Sequence, residues 1–235
     1  MENILEIKNI YKSYQMGKIG TIGLDNISLN IKKGEIIVIL GPSGSGKTTL
    51  LNVISGLDKI SKGSILYEGK NIAKYSDRKM TKFRKKHLGF IFQTYNLLEH
   101  LNVYENVLVG ASLGHTKENV DKIIETVGLK KHKKKYMYQL SGGEQQRVSI
   151  ARALAKNPDI MFCDEPTGAL DEKTGKVVLE SLIEANEKLG TTMIIVTHNP
   201  GIALIADRVI KMNSGKIIEE IINEKRTNPK DIPWG

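Results

Sequence analysis

The sequence predicts an α/β protein with an antiparallel β subdomain at its N-terminus and an inserted α-helical subdomain. Residues 4–14 and 24–31 alternate apolar and polar side chains with period two, which is typical of half-exposed antiparallel strands. Continuously apolar runs, by contrast, are expected in parallel strands that are buried on both faces. Such runs lie at residues 35–40, 88–92, 159–164 and 192–197, with helical patterns between them.

Residues 94–138 break this alternation of strands and helices. Apolar residues recur there at helical spacing without a buried strand: Val103, Val107, Leu108, Val120, Ile123, Ile124 and Val127. We therefore predict a helical lobe at 94–138 inside a core made of residues 1–93 and 139–222, all within one domain of 235 residues.

The C-terminal part of the sequence predicts a hairpin followed by a tail. Strand patterns at 208–212 and 216–222 are joined through Asn213, Ser214 and Gly215, which suit a tight turn. The polar tail at 223–235 is expected to be mobile, with Trp234 as a candidate docking contact.

Several features of the composition predict a cytoplasmic protein without a membrane span. No run approaches the roughly 18 apolar residues of a membrane helix. The first twelve residues include the acidic Glu2 and Glu6 and do not resemble a secretory signal. Cys163 is the only cysteine, so it cannot form an internal disulfide, and we expect it to be a buried apolar residue.

The net charge of +9 is concentrated at residues 78–87 and 130–135. A basic cluster can attract an anionic surface or simply be a solvated face. We favour the solvated face because neither cluster has the interleaved aromatic residues that stack on bases, and no zinc-finger or helix-turn-helix pattern accompanies them. Nucleic acid is therefore not expected as a partner.

The segment GPSGSGKT at residues 41–48 follows a buried strand and precedes a helical run, as a phosphate-binding loop does. Glycines allow the backbone to wrap around phosphate oxygens, and the N–H groups of residues 43–48 can form an anion nest at a helix N-terminus. Lys47 should reach the β- and γ-phosphates, and the Thr48 hydroxyl should bind Mg²⁺. The predicted nucleotide ligands here are Gly41, Ser43, Gly44, Ser45, Gly46, Lys47, Thr48 and Thr49. The motif predicts a P-loop NTPase core.

The run IMFCDE at residues 160–165 is an apolar strand that ends in two carboxylates. A buried parallel strand would bring Asp164 to the sheet edge beside the phosphate loop, where it can orient Mg²⁺. Glu165 would then polarise an attacking water as general base. An acidic pair at a strand end is more often a turn or a helix cap, but the phosphate loop favours the catalytic interpretation.

A second glycine-rich helix start lies in LSGGEQQR at residues 140–147. Ser141, Gly142 and Gly143 could hold a phosphate there, although one ATP does not need two such sites. Gln93 and His198 each follow a predicted strand, and either would be ordinary alone.

The order of these motifs resembles the ATP-binding cassette (ABC) ATPase family over about residues 4–222. The motifs are GPSGSGKT, Gln93, LSGGE, IMFCDE, GALD at 168–171 and His198. The resemblance implies that two copies close head to tail around two ATP molecules. Ser141 and Gly143 would then contact the γ-phosphate held by the partner chain, and Asp171 would cross the dimer interface.

The resemblance also implies roles within one chain. Tyr14 would stack on adenine, with Tyr11 as the competing aromatic residue. Gln93 would contact Mg²⁺ and the attacking water, and His198 would hold the γ-phosphate. Glu144 stands where the family more often has Gln, but a negative charge suits a helix N-terminus, so little loss is expected.

The family's ATPases work on integral-membrane permease subunits, so the resemblance implies a peripheral position on the cytoplasmic face of the cell membrane. Docking is expected where residues 93–98 lead into the helical lobe. Within the family, the sequence resembles the group that serves lipoprotein release, macrolide export and cell division. The segments that carry this resemblance are FIFQTYNLL, LSGGEQQR and DEPTGALDEKTG. The resemblance favours an exporter or a mechanotransmission complex, which transmits motion rather than enclosing a substrate.

Three alternatives differ in function. An amino-acid-type importer ATPase stays open. An ATP-switched scaffold, as in cell division, is disfavoured by intact Glu165 and His198. Nucleic-acid machines with this cassette carry long coiled-coil insertions or a second cassette, and this sequence has neither.

Overall fold

The computed structural model describes residues 2–16, 19–114 and 120–234, which form two sheets and six α-helices. The strands are β1 (Asn3–Met16), β2 (Ile19–Lys32), β3 (Ile36–Leu40), β4 (Lys62–Tyr67), β5 (Lys70–Asn71), β6 (Leu88–Ile91), β7 (Ile160–Asp164), β8 (Thr192–Thr197), β9 (Arg208–Asn213) and β10 (Lys216–Ile222). The helices are α1 (Lys47–Ile54), α2 (Asp77–His87), α3 (Val103–Leu113), α4 (Val120–Thr126), α5 (Gly142–Leu154) and α6 (Glu172–Leu189).

The smaller sheet has the order β2-β1-β4-β5 and is antiparallel throughout. Its alternating apolar residues are buried, as Ile7 opposite Leu29 illustrates. The predicted antiparallel subdomain is therefore confirmed. Strands β4 and β5 were not predicted, because Gly63 and Ser64 interrupt the apolar alternation of β4.

The larger sheet has the order β10-β9-β3-β8-β7-β6, with the first pair antiparallel and the others parallel. The predicted buried strands are confirmed here, with β3 between β9 and β8. Side chains of β3 alternate between two cores. Ile36 and Val38 belong to the core that includes the helical lobe, and Ile37 and Ile39 to the core under the antiparallel sheet.

Between β6 and α5 the described residues form helices α3 and α4, preceded by an irregular segment at 94–102, and residues 115–119 of the predicted lobe lie outside the described part. Besides α3 and α4 the lobe has short 3₁₀ turns at Lys130–His132 and Met137–Gln139. Most of its predicted apolar positions are buried, but Leu108 is 44% exposed. Among the described residues, no helix combines the length and the apolar character that a membrane crossing requires.

The tail differs from the expectation of mobility, because residues 226–234 pack against the core. Ile232 is 2% exposed and Pro229 is buried. The Arg226 guanidinium donates to both carboxylate oxygens of Asp207, at 2.7 and 2.6 Å. A few apolar residues spaced along a polar segment are enough to dock it, and Trp234 is one of the docking contacts. Cys163 is fully buried, as predicted, and burial raises the pKa of its thiol.

Candidate functional site

A cleft of about 390 Å³ lies at the carboxyl end of β3. It is formed by the phosphate loop, the edge of the antiparallel sheet and the loops that follow β7 and β8. Its lining residues are Tyr14, Thr21, Ile22, Gly23, Ser43, Gly44, Gly46, Lys47, Thr48, Thr49, Glu165 and His198. Nine of these twelve are among the predicted site residues, which the fold therefore brings together from distant parts of the chain.

The phosphate loop has the backbone of an anion cradle. Gly44 and Gly46 adopt φ angles of 76° and 97°, a backbone conformation that residues with a Cβ rarely adopt. Helix α1 starts at Lys47, whose ammonium donates to the carbonyls of Gly41 and Pro42 at 2.8 Å each. The Ser45 hydroxyl is buried and has no hydrogen-bond partner within the described structure. Together these groups fit a phosphate, which would accept hydrogen bonds that the protein leaves unmade.

Thr48 and Asp164 form the candidate magnesium position. The Thr48 hydroxyl lies 3.5 Å from a carboxylate oxygen of Asp164, so two oxygen ligands meet beside the phosphate loop. Burial and the neighbouring charge of Glu165 raise the pKa of Asp164, while the Thr48 hydroxyl and the Lys47 charge act in the opposite direction. A carboxylate with too little compensating charge suits a position that takes a cation.

Gln93, the third predicted magnesium ligand, is not in the lining of this cleft. It lines a neighbouring groove of about 750 Å³ together with Thr94, Tyr95, Leu97, Glu99 and Tyr138, among others. Its amide nitrogen faces Gly168, where an added Cβ would lie 3.3 Å away. Contact between Gln93 and Mg²⁺ therefore stays a prediction.

Glu165 is held by groups at both carboxylate oxygens. His198 Nδ1 lies 2.8 Å from Oε1, and the Thr197 hydroxyl donates to Oε2 at 3.1 Å. Because a carboxylate only accepts hydrogen bonds, His198 Nδ1 is the donor in the hydrogen bond between His198 and Glu165. Glu165 also has a φ of 47°, a strained conformation for a residue with a side chain, and its N–H donates to the Val196 carbonyl at 2.9 Å. The orientation of the candidate base is thus fixed by its surroundings.

Tyr14, rather than Tyr11, lies in the lining of the cleft. Its ring packs on Gly23, where an added Cβ would lie 3.0 Å from the ring. Its hydroxyl donates to Asp58 at 3.0 Å, and the Lys12 ammonium lies 4.7 Å from the ring centroid. This geometry favours Tyr14 as the aromatic residue for a base.

Asp58 and Gly23, which support Tyr14, could not be recognised as site residues from the sequence. Burial would raise the pKa of Asp58, but hydrogen bonds from Lys12, the Lys59 amide and Tyr14 outweigh it, so the pKa is lowered. Asp58 follows α1 and Gly23 lies on β2, and only the folded sheet brings them to Tyr14. Thr197, the last residue of β8, was also missed, because its hydroxyl acts across strands.

The segment LSGGEQQR is built locally and lies outside the cleft lining. Ser141 caps α5, accepting from the Glu144 N–H at 3.4 Å, while Glu144 accepts from the Ser141 N–H at 2.7 Å. Burial would raise the pKa of Glu144, but the bonds from Ser141 and the charges of His132 and Lys135 lower it overall. Glutamate therefore completes a capping box as the more usual glutamine would.

The remaining predicted interface residues share this separation from the cleft. Gly142 is exposed, and Gly143 packs so closely on Thr174 that a Cβ would overlap it. Asp171 is exposed and caps α6 by accepting from the Thr174 N–H at 3.1 Å. That bonding lowers the pKa of Asp171. None of these residues lines the cleft of its own chain.

Comparison with known sequences gives one consistent family. The model described as "ABC transporter" matches residues 24–168, more than half of the chain. A Mycoplasma pneumoniae homolog of the ABC transporter ATP-binding protein MG065 is 48% identical over 99% of this chain and 51% of its own length. The chain thus spans about half the length of that relative and of its Mycoplasma genitalium counterpart. The bacitracin export ATP-binding protein BceA of Halalkalibacterium halodurans is 44% identical over 93% of this chain and 88% of its own length.

Comparison with solved structures agrees. The dimeric structure of the ABC transporter cassette MJ0796 of Methanocaldococcus jannaschii has a TM-score of 0.84 and 38% identity, covering 93% of this chain and 98% of the other. A second structure of MJ0796, a dimeric post-hydrolysis state bound to ADP and Pi, has a TM-score of 0.83.

Proposed function

This chain belongs to the ABC transporter family, and from that premise we propose that it is the ATP-hydrolysing subunit of a transporter. Two copies would close head to tail around two ATP–Mg²⁺ complexes and drive a separate integral-membrane permease. One observation carries the proposal: the phosphate loop, an aromatic ring and a glutamate held by histidine line one cleft, and Asp164 lies beside it, next to the Thr48 hydroxyl.

The cleft's own residues suggest how hydrolysis proceeds. The phosphates lie on the N–H groups at the start of α1, and the Lys47 ammonium turns from the loop carbonyls to the β- and γ-phosphates. Mg²⁺, bound by Thr48 and oriented by Asp164, would offset phosphate charge. Glu165 accepts the proton of the attacking water. His198 donates through Nδ1 to Glu165, which leaves its other ring nitrogen, Nε2, free to face the γ-phosphate.

The need for a second copy is supported by the exposed start of α5. Ser141 and Gly142 lie at a helix N-terminus, which attracts anions, yet they do not line the cleft of their own chain. In a head-to-tail pair this surface would close the partner's cleft. The MJ0796 cassette was solved as a dimer, which supports pairing of two copies.

A docking place for a permease is supported by the groove beside Gln93. Tyr138, which is 80% exposed, lines it together with Leu97 and Glu99. Large exposed aromatic residues are common at protein interfaces. The groove also contains Gln93, so a permease bound there, at the cytoplasmic face of the membrane, would sense the nucleotide state. The bacitracin export relative supports an export role over import.

Glu165→Gln tests the proposal because it keeps the size of the side chain and removes the base. We expect phosphate release to fall by at least about 100-fold while ATP still binds. ATP should then hold the variant as a dimer in size-exclusion chromatography. Glu187→Gln, an equally conservative change at an exposed position of α6, serves as the control. Normal turnover in Glu165→Gln, or a monomer at high protein and ATP concentrations, would contradict the proposal.

A further inference from the structure

Residues 226–234, which we name the C-terminal strap, dock into two gaps left by glycines. The Trp234 ring lies against Gly175 on α6, where an added Cβ would overlap it. The Pro233 carbonyl oxygen lies against Gly201, with the same consequence for a Cβ. Only glycine at positions 175 and 201 leaves room for these contacts, so the position of the strap is defined at both places.

The other end of the strap is anchored by charge. The Arg226 guanidinium, paired with Asp207, also donates to the Asn186 side chain at 2.8 Å. Asp207 in turn accepts from the Ile36 N–H at 2.8 Å, at the start of β3. The Thr227 N–H donates to the Leu204 carbonyl at 2.8 Å. The strap is therefore fixed to the core on both sides of its buried Ile232.

A continuous series of hydrogen bonds leads from the Pro233 contact to Glu165. The Gly201 N–H donates to the Asn199 side chain at 2.8 Å, and the Asn199 N–H donates to the Thr197 hydroxyl at 3.1 Å. That hydroxyl donates to Glu165 Oε2. His198, the other group on Glu165, lies within the same segment. A displacement at Gly201 would therefore reach both groups that orient the candidate base.

The Trp234 contact leads to Asp171 over a shorter path. The Gly175 N–H donates to the Asp171 carbonyl at 2.8 Å, closing the first turn of α6. Asp171 is also the residue that caps this helix. The Trp234 ring thus contacts the helical turn that orients Asp171, the predicted interface residue.

We propose that Trp234 and Pro233 are positioning residues for ATP hydrolysis, acting through Gly201 on Glu165 and through Gly175 on Asp171. This inference rests on the function proposed above. Neither residue lines the nucleotide cleft. Loss of the strap's contacts should therefore lower kcat and leave the KM for ATP nearly unchanged.

Gly175→Ala is the sharpest test, because it displaces the ring without weakening the helix. Alanine is the better helix former, so α6 itself should gain rather than lose stability. We expect kcat for phosphate release to fall about tenfold, since small misplacements of catalytic groups cost up to about 100-fold. The KM for ATP should stay within about twofold of the wild type. Trp234 is the only tryptophan, so a red shift of its emission reports its displacement directly.

Further variants separate positioning from general packing. Trp234→Ala should lower kcat as Gly175→Ala does, and the double variant should lose little more, because both changes remove one contact. Trp234→Phe, which keeps an aromatic ring, should restore most of the rate. Lys230→Ala is the control: it removes only a surface ion pair with Glu180 from the same strap.

The possible results distinguish the two proposals. Gly201→Ala, whose Cβ would displace the Pro233 carbonyl, tests the second contact in the same assay. Wild-type kcat in Gly175→Ala, Trp234→Ala and Gly201→Ala, with Glu165→Gln inactive, would overturn the positioning role alone. Equal losses of rate in Lys230→Ala and Trp234→Ala would overturn it too. A wild-type protein without ATP hydrolysis would overturn both the proposed function and this inference.

Discussion

The nucleotide cleft and the start of α5 are both phosphate-binding candidates, but they are built in opposite ways. In the cleft, Tyr14, the phosphate loop and Glu165 come from distant segments and meet only because the sheets bring them together. At the start of α5, Ser141 and Glu144 are three residues apart and satisfy each other in a capping box. One site depends on the whole fold, the other on a few neighbouring residues.

Their carboxylates show the same difference. Burial and Glu165 raise the pKa of Asp164, whereas the hydrogen bonds at Glu144 outweigh burial and lower its pKa. In the cleft region, therefore, the Asp164 carboxylate has too little compensating positive charge. The Ser45 hydroxyl is also buried without a hydrogen-bond partner among the described residues. At the start of α5, by contrast, the Ser141 and Glu144 side chains are already paired with the backbone. Under the proposed function, the cleft would receive the nucleotide and the start of α5 would close the cleft of the partner copy.

The largest expected effect is on the cleft alone. Lys47→Ala removes the cation that can bond to the β- and γ-phosphates, so ATP affinity should fall by about 100-fold. Equilibrium binding of a fluorescent ATP analogue measures this loss. Lys33→Ala, an exposed lysine before β3, is the control. Unchanged affinity in Lys47→Ala would show that the phosphate loop is misassigned.

The second prediction concerns the start of α5. Ser141→Ala should leave ATP binding to the single chain intact but lower phosphate release and ATP-dependent dimerisation by about tenfold or more, because a hydroxyl donor to a charged phosphate is lost. It also removes a helix cap, at a cost of about 1 kcal/mol of stability.

Ser76→Ala separates these two effects. Ser76 caps α2 by accepting from the Lys79 N–H at 3.4 Å, the same distance as in the Ser141 cap. The two variants should therefore lose similar thermal stability, and only Ser141→Ala should lose dimerisation. Equal behaviour of the two in the dimer assay would reduce Ser141 to a helix cap.

The smallest expected effect is at the edge of the cleft. Tyr14→Ala should weaken ATP binding about three- to tenfold, the worth of an aromatic stacking contact. Tyr14→Phe keeps the ring and loses only the bond to Asp58, so its loss should stay below about threefold. Tyr11→Ala, outside the cleft lining, should bind ATP normally. A larger loss in Tyr11→Ala than in Tyr14→Ala would reverse the assignment of the stacking residue.

The fold was predictable where one pattern dominates a segment. Strands β3, β7 and β8 are continuously apolar, and the early strands alternate over most of their length apart from bulges in β1, so burial largely determines their sequences. Strand β4 was missed because Gly63 and Ser64 dilute its pattern. Of the docked tail, only the Trp234 contact was expected, because the tail packs on glycines of other elements, Gly175 and Gly201, which the tail's own sequence does not indicate.

The candidate site divides in the same manner. Lys47, Thr48, Asp164 and Glu165 stand in short motifs, and the fold brings them to one place, although their roles stay predictions. Thr197 escaped notice because it acts on Glu165 from a neighbouring strand. Such supporting contacts depend on long-range geometry, which spacing along one sequence does not encode.

The alternation of β3 between two cores has a mechanical consequence. The core on one side contains the helical lobe and α5, and the core on the other contains the antiparallel sheet and α1. Strands β7, β8 and β9 alternate between the two cores in the same way, so the parallel part of the larger sheet is a layer that both cores share. A close-packed layer of this kind resists deformation from either side. The phosphate loop, which follows β3 directly, is therefore anchored to the part of the molecule that the lobe and the antiparallel sheet have in common.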